Sequence, residues 1–302
     1  MDTLLFTLSI ISGLVYAALY NIGFVLEKKA ILLLPSEKKE GVLNLIKSIL
    51  TNKLWLFGLL LTVSSMGFYF LALLFAPLSA IAPLAGFGLV VLVVYAHFDL
   101  KESLKKLELV GVGLVVIGIA TSSYLMSFGE RTIQWEEWKT VSHSLDGALV
   151  VIGSLVVAIL FTFVPVLFKK KIRPFDIAIF AGLMAGIQAI AVKGISVWST
   201  AQNINLDLGI IIIYILIVLI TALLSTGSLQ FAFKVGKVSK IMAIYNGVMT
   251  IFPILFGAII LLEWNSLLLI QQIFLAISLV ITTIGVILLS LKHNQSYIET
   301  NL

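Results

Sequence analysis

Polar side chains are scarce in this chain, so the few that fall inside its apolar stretches are where chemistry must be sought. In the first half these are Tyr16, Tyr20, Asn21, Ser64, Ser65 and Tyr69, and in the second Gln188, Ser228, Gln230, Tyr245, Asn246 and Thr250. Hydroxyls and amides of this kind hold a neutral or hydrated solute by hydrogen bonds. Several are expected to serve only as interhelical hydrogen bonds, typically worth ~0.6 kcal/mol each, so no more than half of the set should line a site. The carboxylates Glu27, Asp99, Glu102, Glu108 and Glu263 all lie at the ends of apolar stretches. The chain has no cysteine, which excludes a disulfide framework, a thiolate zinc site and a cysteine nucleophile. Its three histidines, His97, His143 and His293, lack the close spacing of a metal motif. No cofactor is implied.

Lys193 is the one basic residue well inside an apolar stretch, five residues before Trp198. Two readings are open. The butyl stem can stay in the apolar region while the ammonium snorkels to the interface, or the charge can face a central cavity, as intramembrane ionisable groups usually do. A fixed positive charge there would favour an anionic or zwitterionic solute over a cation. Glu102 and Glu263 are expected to cap or gate opposite mouths of a pathway rather than to bind at its centre.

The elements that position these residues follow from composition. Of 302 residues, 60% are hydrophobic and 12% charged, with a mean hydropathy of +1.14, whereas a soluble chain carries about 25% charged residues. Marking spans by where charges stop gives nine segments, near residues 4–26, 54–74, 78–98, 107–127, 147–168, 177–198, 209–231, 241–262 and 266–290. Each suits a helix crossing a hydrocarbon core ~30 Å thick, and they are too long and too uniformly apolar for barrel strands. Short loops rich in Lys and Arg stay on the cytoplasmic side. With nine spans, seventeen of the twenty basic residues share one side, and only Arg131 and Lys139 lie on the other. The N-terminus is therefore expected outside and the C-terminus inside a plasma or inner membrane.

The chain also repeats itself. Ala72 through Ser79-Ala80-Ile81 and Ala232 through Ser239-Lys240-Ile241 each lead into an apolar helix, and Val116-Ile117-Gly118 has a later parallel in Thr283-Ile284-Gly285. Spans two to four then correspond to spans seven to nine. Five spans separate the copies, an odd number, so they cross the membrane in opposite directions. Lys193 becomes the counterpart of Lys28 or Lys29. The expected fold class is an all-α integral membrane protein with two inverted four-helix repeats, 1–127 and 175–302, joined by a loop and linking helix over 128–174. Such repeats frame alternating-access carriers, with the solute near the midplane. Gly111-Val112-Gly113 with Gly118, and Gly182 with Gly186, read as small residues that let helices pack closely.

Several short motifs resemble the NIPA-type magnesium transporters, a branch of the drug/metabolite transporter superfamily. They are Phe24-Val25-Leu26-Glu27-Lys28-Lys29, the run from Trp55-Leu56-Phe57-Gly58 through Phe75-Ala76-Pro77 to Pro83-Leu84, Val192-Lys193-Gly194 and Glu263-Trp264. The resemblance implies the same nine-span plan and carriage of Mg2+. It also locates departures. Met66 stands where the family has a glutamate in its second helix, Tyr69 replaces an asparagine, and Ala243-Ile244-Tyr245-Asn246 replaces Pro-Ile-Tyr-Tyr. Magnesium is normally held by one or two carboxylates and its own waters, so a site without that carboxylate is a poor one for the bare ion.

The function expected from the sequence is a membrane transporter of a divalent cation or a small polar metabolite. A lipid-modifying membrane enzyme is disfavoured, because no nucleophile, acid–base pair or metal cluster is visible at membrane depth. The expected partners are the lipid bilayer, the transported solute and, as an option, a second copy of the chain. Nucleic acid is not among them. Single cysteines placed in loops 128–146 and 169–174 should label from opposite faces of the membrane. Equal labelling of both from outside intact cells contradicts nine spans.

Overall fold

The computed structural model describes residues 3–33, 48, 50–82, 84, 88, 91, 95, 106–126, 133–142, 144–145, 149, 152–153, 156, 174–201, 207–235 and 238–290, and among these all regular structure is helical. The helices are α1 (Thr3–Leu32), α2 (Lys53–Leu74), α3 (Lys106–Met126), α4 (Trp135–Ser142), α5 (Pro174–Ser199), α6 (Leu208–Val235), α7 (Val238–Ile259) and α8 (Leu269–Ser290), with a 3-10 turn at Glu263–Ser266. Five are long and apolar enough to cross a membrane, namely α1, α2, α5, α6 and α7, while α3 and α8 carry shorter apolar stretches. These helices coincide with seven expected spans. The other two, 78–98 and 147–168, fall largely outside the described residues, although residues 78–82 are helical.

Two boundaries differ from the sequence reading. The first helix does not stop at residue 26 where the charges begin but runs on to Leu32, with Glu27 and Lys28 buried inside the bundle. A charge marks the end of a span only when it meets water. Here both side chains find partners on neighbouring helices. The second difference is α4, a short helix within the stretch read as the loop before the linking helix. It is held by Trp138, whose indole donates to the Tyr214 hydroxyl at 3.1 Å, and by Asp207, which accepts from the Trp135 indole at 2.6 Å and the Lys139 ammonium at 2.9 Å. The Trp135 bond and then the lysine hold the Asp207 carboxyl below its ordinary value.

Local sequence explains the helix ends and the packing. Asn52 caps α2 by accepting from the Leu54 and Trp55 amides at 2.9 and 3.2 Å, and Pro77 follows shortly after the helix ends. Every residue of α5 from Ala181 to Gly194 is buried, because its Ala and Gly positions admit neighbours at close range. A side chain at Gly182 would meet Tyr245 and Val248, and one at Gly186 would meet Phe252, all on α7. By contrast α6 turns a row of isoleucines and leucines outward, among them Ile212, Ile213, Leu216, Leu219, Ile220 and Leu223. Helix α1 lies on α2 through Gly23 and Gly58, whose backbones touch.

Helices α3 and α8 meet through a reciprocal pair of glycines. A Cβ at Gly118 would strike Ser278 and Thr282, and one at Gly285 would strike Gly111 and Val115. The small residues of α3 thus serve packing, apart from Gly113, which faces open space. Gly118→Val or Gly285→Val should therefore lower the stability of the detergent-solubilised protein by about 1–3 kcal/mol, seen as an earlier thermal transition. Gly113→Ala should leave it unchanged. A normal transition in both valine variants would mean that α3 and α8 do not pack this way.

Candidate functional site

The polar centre lies between α1, α2, α5 and α7. Tyr16 and Tyr20 from α1, Met66 and Tyr69 from α2, Ala185, Gln188 and Ala189 from α5 and Met249 from α7 surround a narrow pocket. Its free space is no more than that of a single water molecule. The aromatic rings pack on one another, with the Tyr16 and Tyr69 centroids 4.6 Å apart and the Tyr16 and Tyr20 centroids 5.3 Å apart. Tyr20 and Tyr245 share a hydrogen bond between their hydroxyls, and the Ser225 hydroxyl donates to Tyr245 at 3.4 Å. Gln188 donates to the Met66 sulfur at 3.5 Å. The Tyr69 hydroxyl is buried and has no partner among the described residues. A buried hydroxyl in that condition has its full hydrogen-bonding capacity available to a solute.

Other expected site residues fall around this pocket rather than in it. Asn21 donates to the Ala17 carbonyl at 2.8 Å and accepts from the Asn246 amide at 3.2 Å, which ties α1 to α7. Ser65 is buried but donates to the Thr62 carbonyl of its own helix at 2.6 Å. Ser64 is exposed on the outer face of α2, because one residue along a helix is about 100° around it; its place among the pathway residues is corrected. Thr250 is buried and its hydroxyl has no partner among the described residues, and Ser228 is half-buried. Glu102, like His97 and Asp99, lies outside the described residues.

Gln230 belongs to a second polar cluster that the sequence did not reveal. Its amide donates to Glu27, which also accepts from the Thr62 hydroxyl at 3.1 Å, and the Trp55 indole donates to the Gln230 carbonyl oxygen at 3.4 Å. Glu27 is 0% exposed. The reading of this residue as a span-end carboxylate is therefore corrected. The next residue, Lys28, donates to the Phe233 carbonyl near the end of α6. The signal available in the sequence was the Glu27-Lys28 pair itself, which is neutral as a unit. Among the described residues no three His, Asp or Glu side chains are grouped to hold a metal.

The third cluster contains Lys193 and Glu263. The Lys193 ammonium donates to the carbonyls of Leu73 and Ala76 at 2.9 and 2.8 Å, and the Ser196 hydroxyl donates to Leu73 at 3.2 Å. Neither sequence reading of Lys193 describes this. The side chain neither snorkels outward nor lines the pocket, but caps the Leu73 carbonyl in the last turn of α2 and the Ala76 carbonyl just beyond it. Glu263 accepts from the amides of Leu78 and Ser79, both at 3.2 Å, and from the Ser79 hydroxyl, which caps the first turn of the helical stretch at 78–82. Gly257 leaves room for this carboxylate, since a Cβ there would strike it. The preceding Leu262 adopts left-handed backbone with φ 53, an uncommon conformation for a branched side chain, and this turns Glu263 back towards the bundle.

Apolar helices ringing a polar centre, with buried charges satisfied between helices, define a polytopic membrane protein built around an internal site. The sequence profile of the family described as Magnesium transporter NIPA matches residues 5–295. The chain belongs to this family. It is also similar to a probable magnesium transporter NIPA9 of Arabidopsis thaliana, with 35% identity over 98 residues, which is 32% of this chain. That match spans only 28% of the plant protein's length. No solved structure matches the chain.

The Glu263 cap can be separated from a cargo role. Glu263→Gln keeps the shape but presents an amide nitrogen to one of the donors it should receive, at a cost of about 1–3 kcal/mol. The variant should melt earlier in detergent and transport with a reduced maximal rate at nearly unchanged apparent affinity. A large loss of affinity at normal rate would make Glu263 a ligand of the cargo instead.

Proposed function

We propose that the chain carries Mg2+ across the cell membrane by alternating access, with nine spans arranged as two inverted four-helix repeats, 1–127 and 175–302, around the tyrosine pocket. The observation that carries this reading is a set of reciprocal contacts. Gly118 corresponds to Gly285 in the repeat, and the residues each one meets, Ser278 with Thr282 and Gly111 with Val115, correspond to one another at the same offset. Helix directions agree as well. The Trp55–Gln230 bond sets the start of α2 beside the end of α6, and the Lys193 bonds set the ends of α2 and α5 together. Helices at corresponding positions therefore run in opposite senses. On this plan the ends of α1 and α6 face the cytoplasm and those of α2 and α5 face outside.

Two features of the site support a cationic cargo. The Lys193 ammonium is held on carbonyls away from the pocket, so it does not oppose a cation. The pocket offers tyrosine ring faces, which attract positive charge, along with neutral oxygens. Since Met66 occupies the position where the family resemblance implies a glutamate, the ion keeps its inner waters, as Mg2+ does readily, and is held through them by Tyr69 and Gln188. A second reading, a small polar metabolite, draws on that same absence of a carboxylate among the pocket residues.

Flux of Mg2+ into proteoliposomes containing a magnesium-sensitive dye tests the proposal. Uptake should saturate, and Tyr69→Phe, which removes one hydroxyl and keeps the ring, should weaken apparent affinity roughly fivefold, as expected for one hydrogen bond of about 1 kcal/mol. Uptake of amino acids or nucleobases with no Mg2+ flux would instead establish the metabolite reading.

A further inference from the structure

Two buried lysines are bonded to the backbone of helices other than their own. Lys193 on α5 donates to Leu73 and Ala76 at the end of α2, and Lys28 on α1 donates to Phe233 near the end of α6. In the register of the proposed repeat, Leu73 corresponds to Phe233. Each lysine thus reaches from the first helix of one repeat to the C-terminal carbonyls of the second helix of the other. The two contacts lie on either side of the pocket. Lys193 is one helical turn, about 6 Å, beyond Ala189, and Lys28 is eight residues, about 12 Å, beyond Tyr20.

We infer that Lys28 and Lys193 are positioning residues that latch the two mouths of the transport pathway, a conclusion that rests on the alternating-access reading above. The last carbonyls of a helix have no partner within it, so a lysine from the opposite repeat can satisfy them only while the two repeats are drawn together at that end. A mouth opens when its ammonium leaves the carbonyls for water, which the compact and strongly hydrated head on its flexible stem favours once water enters. With both latches made, the pocket between them is closed down to the space described above. Each side is braced differently. Ser196 and Glu263 support the Lys193 side, and Glu27, Gln230 and Thr62 support the Lys28 side. The transport cycle releases one latch while the other holds.

The absence of native cysteine allows a direct test. Ala189→Cys, in the pocket wall, is combined with Lys193→Met or with Lys28→Met, and labelling by a membrane-impermeant maleimide is measured in intact cells and in inside-out vesicles. Lys193→Met should raise labelling roughly tenfold, the effect of losing a hydrogen bond to a charged group, and only from the face that bears the ends of α2 and α5. Lys28→Met should do the same only from the opposite face. Lys→Arg variants, which keep a donor, should show smaller shifts in the same directions, and they serve where a methionine variant does not fold. Labelling increased from the same face in both, or in neither, overturns the latch assignment. No cargo is needed for this measurement. Opposite-face labelling in a protein without Mg2+ flux would therefore reject the cargo and keep the latches, whereas saturable Mg2+ flux without face bias would reject the latches alone.

Discussion

The tight passage from α2 into the next helix depends on groups that the first half of the chain does not supply. Only Phe75, Ala76 and Pro77 separate Leu74 from the helical residues at 78–82. The last carbonyls of α2 and the first amides after it are thus left without helical partners in a place where unpaired backbone is costly. Lys193 satisfies the carbonyls and Glu263 the amides. This pair of opposite caps imposes other choices on the sequence. Gly257 must lack a side chain, Leu262 must take a left-handed turn, and Ser196 must sit one turn from Lys193. The first half of the molecule is locally unfinished without the second.

Seven of the expected spans were legible in the sequence, because hydropathy reports burial in lipid directly, whereas the short helix α4 was not. Gly118, Gly182 and Gly186 were legible as packing residues, since nothing else justifies them in a span, whereas Gly113 was read in the same way and faces open space. The site was legible only in part. Tyr16, Tyr20, Tyr69 and Gln188 stood out as polar groups at mid-span and do line the pocket. Ser64 stood out equally and faces outward, because each span's hydropathy is too uniform to reveal which side is inside. Met249, Ala185 and Ala189 were missed, as apolar residues give no sign that they border a cavity, and Met66 was marked only through the family resemblance. Glu27, Lys28 and Lys193 were misjudged through a single assumption, that a charge seeks water. Each instead seeks an oxygen or an amide on another helix, and the sequence does not name that partner.

Between the halves, α1 and α7 are joined by two adjacent polar pairs, Tyr20 with Tyr245 and Asn21 with Asn246. Around them the contact is aromatic, with Phe24 edge-on to both Tyr20 and Tyr245. Hydrogen bonds between membrane helices are individually weak, and ring contacts of this kind are worth about 0.5–1.5 kcal/mol. An interface made of such terms is specific in register yet can separate in parts. The glycine contacts between α3 and α8 are different in kind. Backbone lies against backbone there, and no small movement keeps part of the contact. The molecule therefore combines a close-packed seam between α3 and α8 with an α1–α7 seam of discrete, exchangeable bonds beside the pocket.

That contrast bears on how a cargo would be recognised under the proposed function. A carboxylate in the pocket would bind a cation strongly even in a closed bundle, and release would then be slow. A pocket of tyrosines, Gln188 and Met66 has no such fixed charge, so its hold on a hydrated ion comes from several weak contacts made at once. The space now present admits at most one water, and a hydrated divalent ion is larger. Entry must therefore spread α1 and α2 from α5 and α7, the same helices that the Lys193 cap and the Tyr20–Tyr245 pair draw together. A solute too small to spread them leaves the bonds intact, and one with too few oxygens around it gains too little from the pocket to replace them. Selection then falls on size and hydration together rather than on charge alone, which is a consistent outcome for a family member in which methionine stands at the position of the expected glutamate.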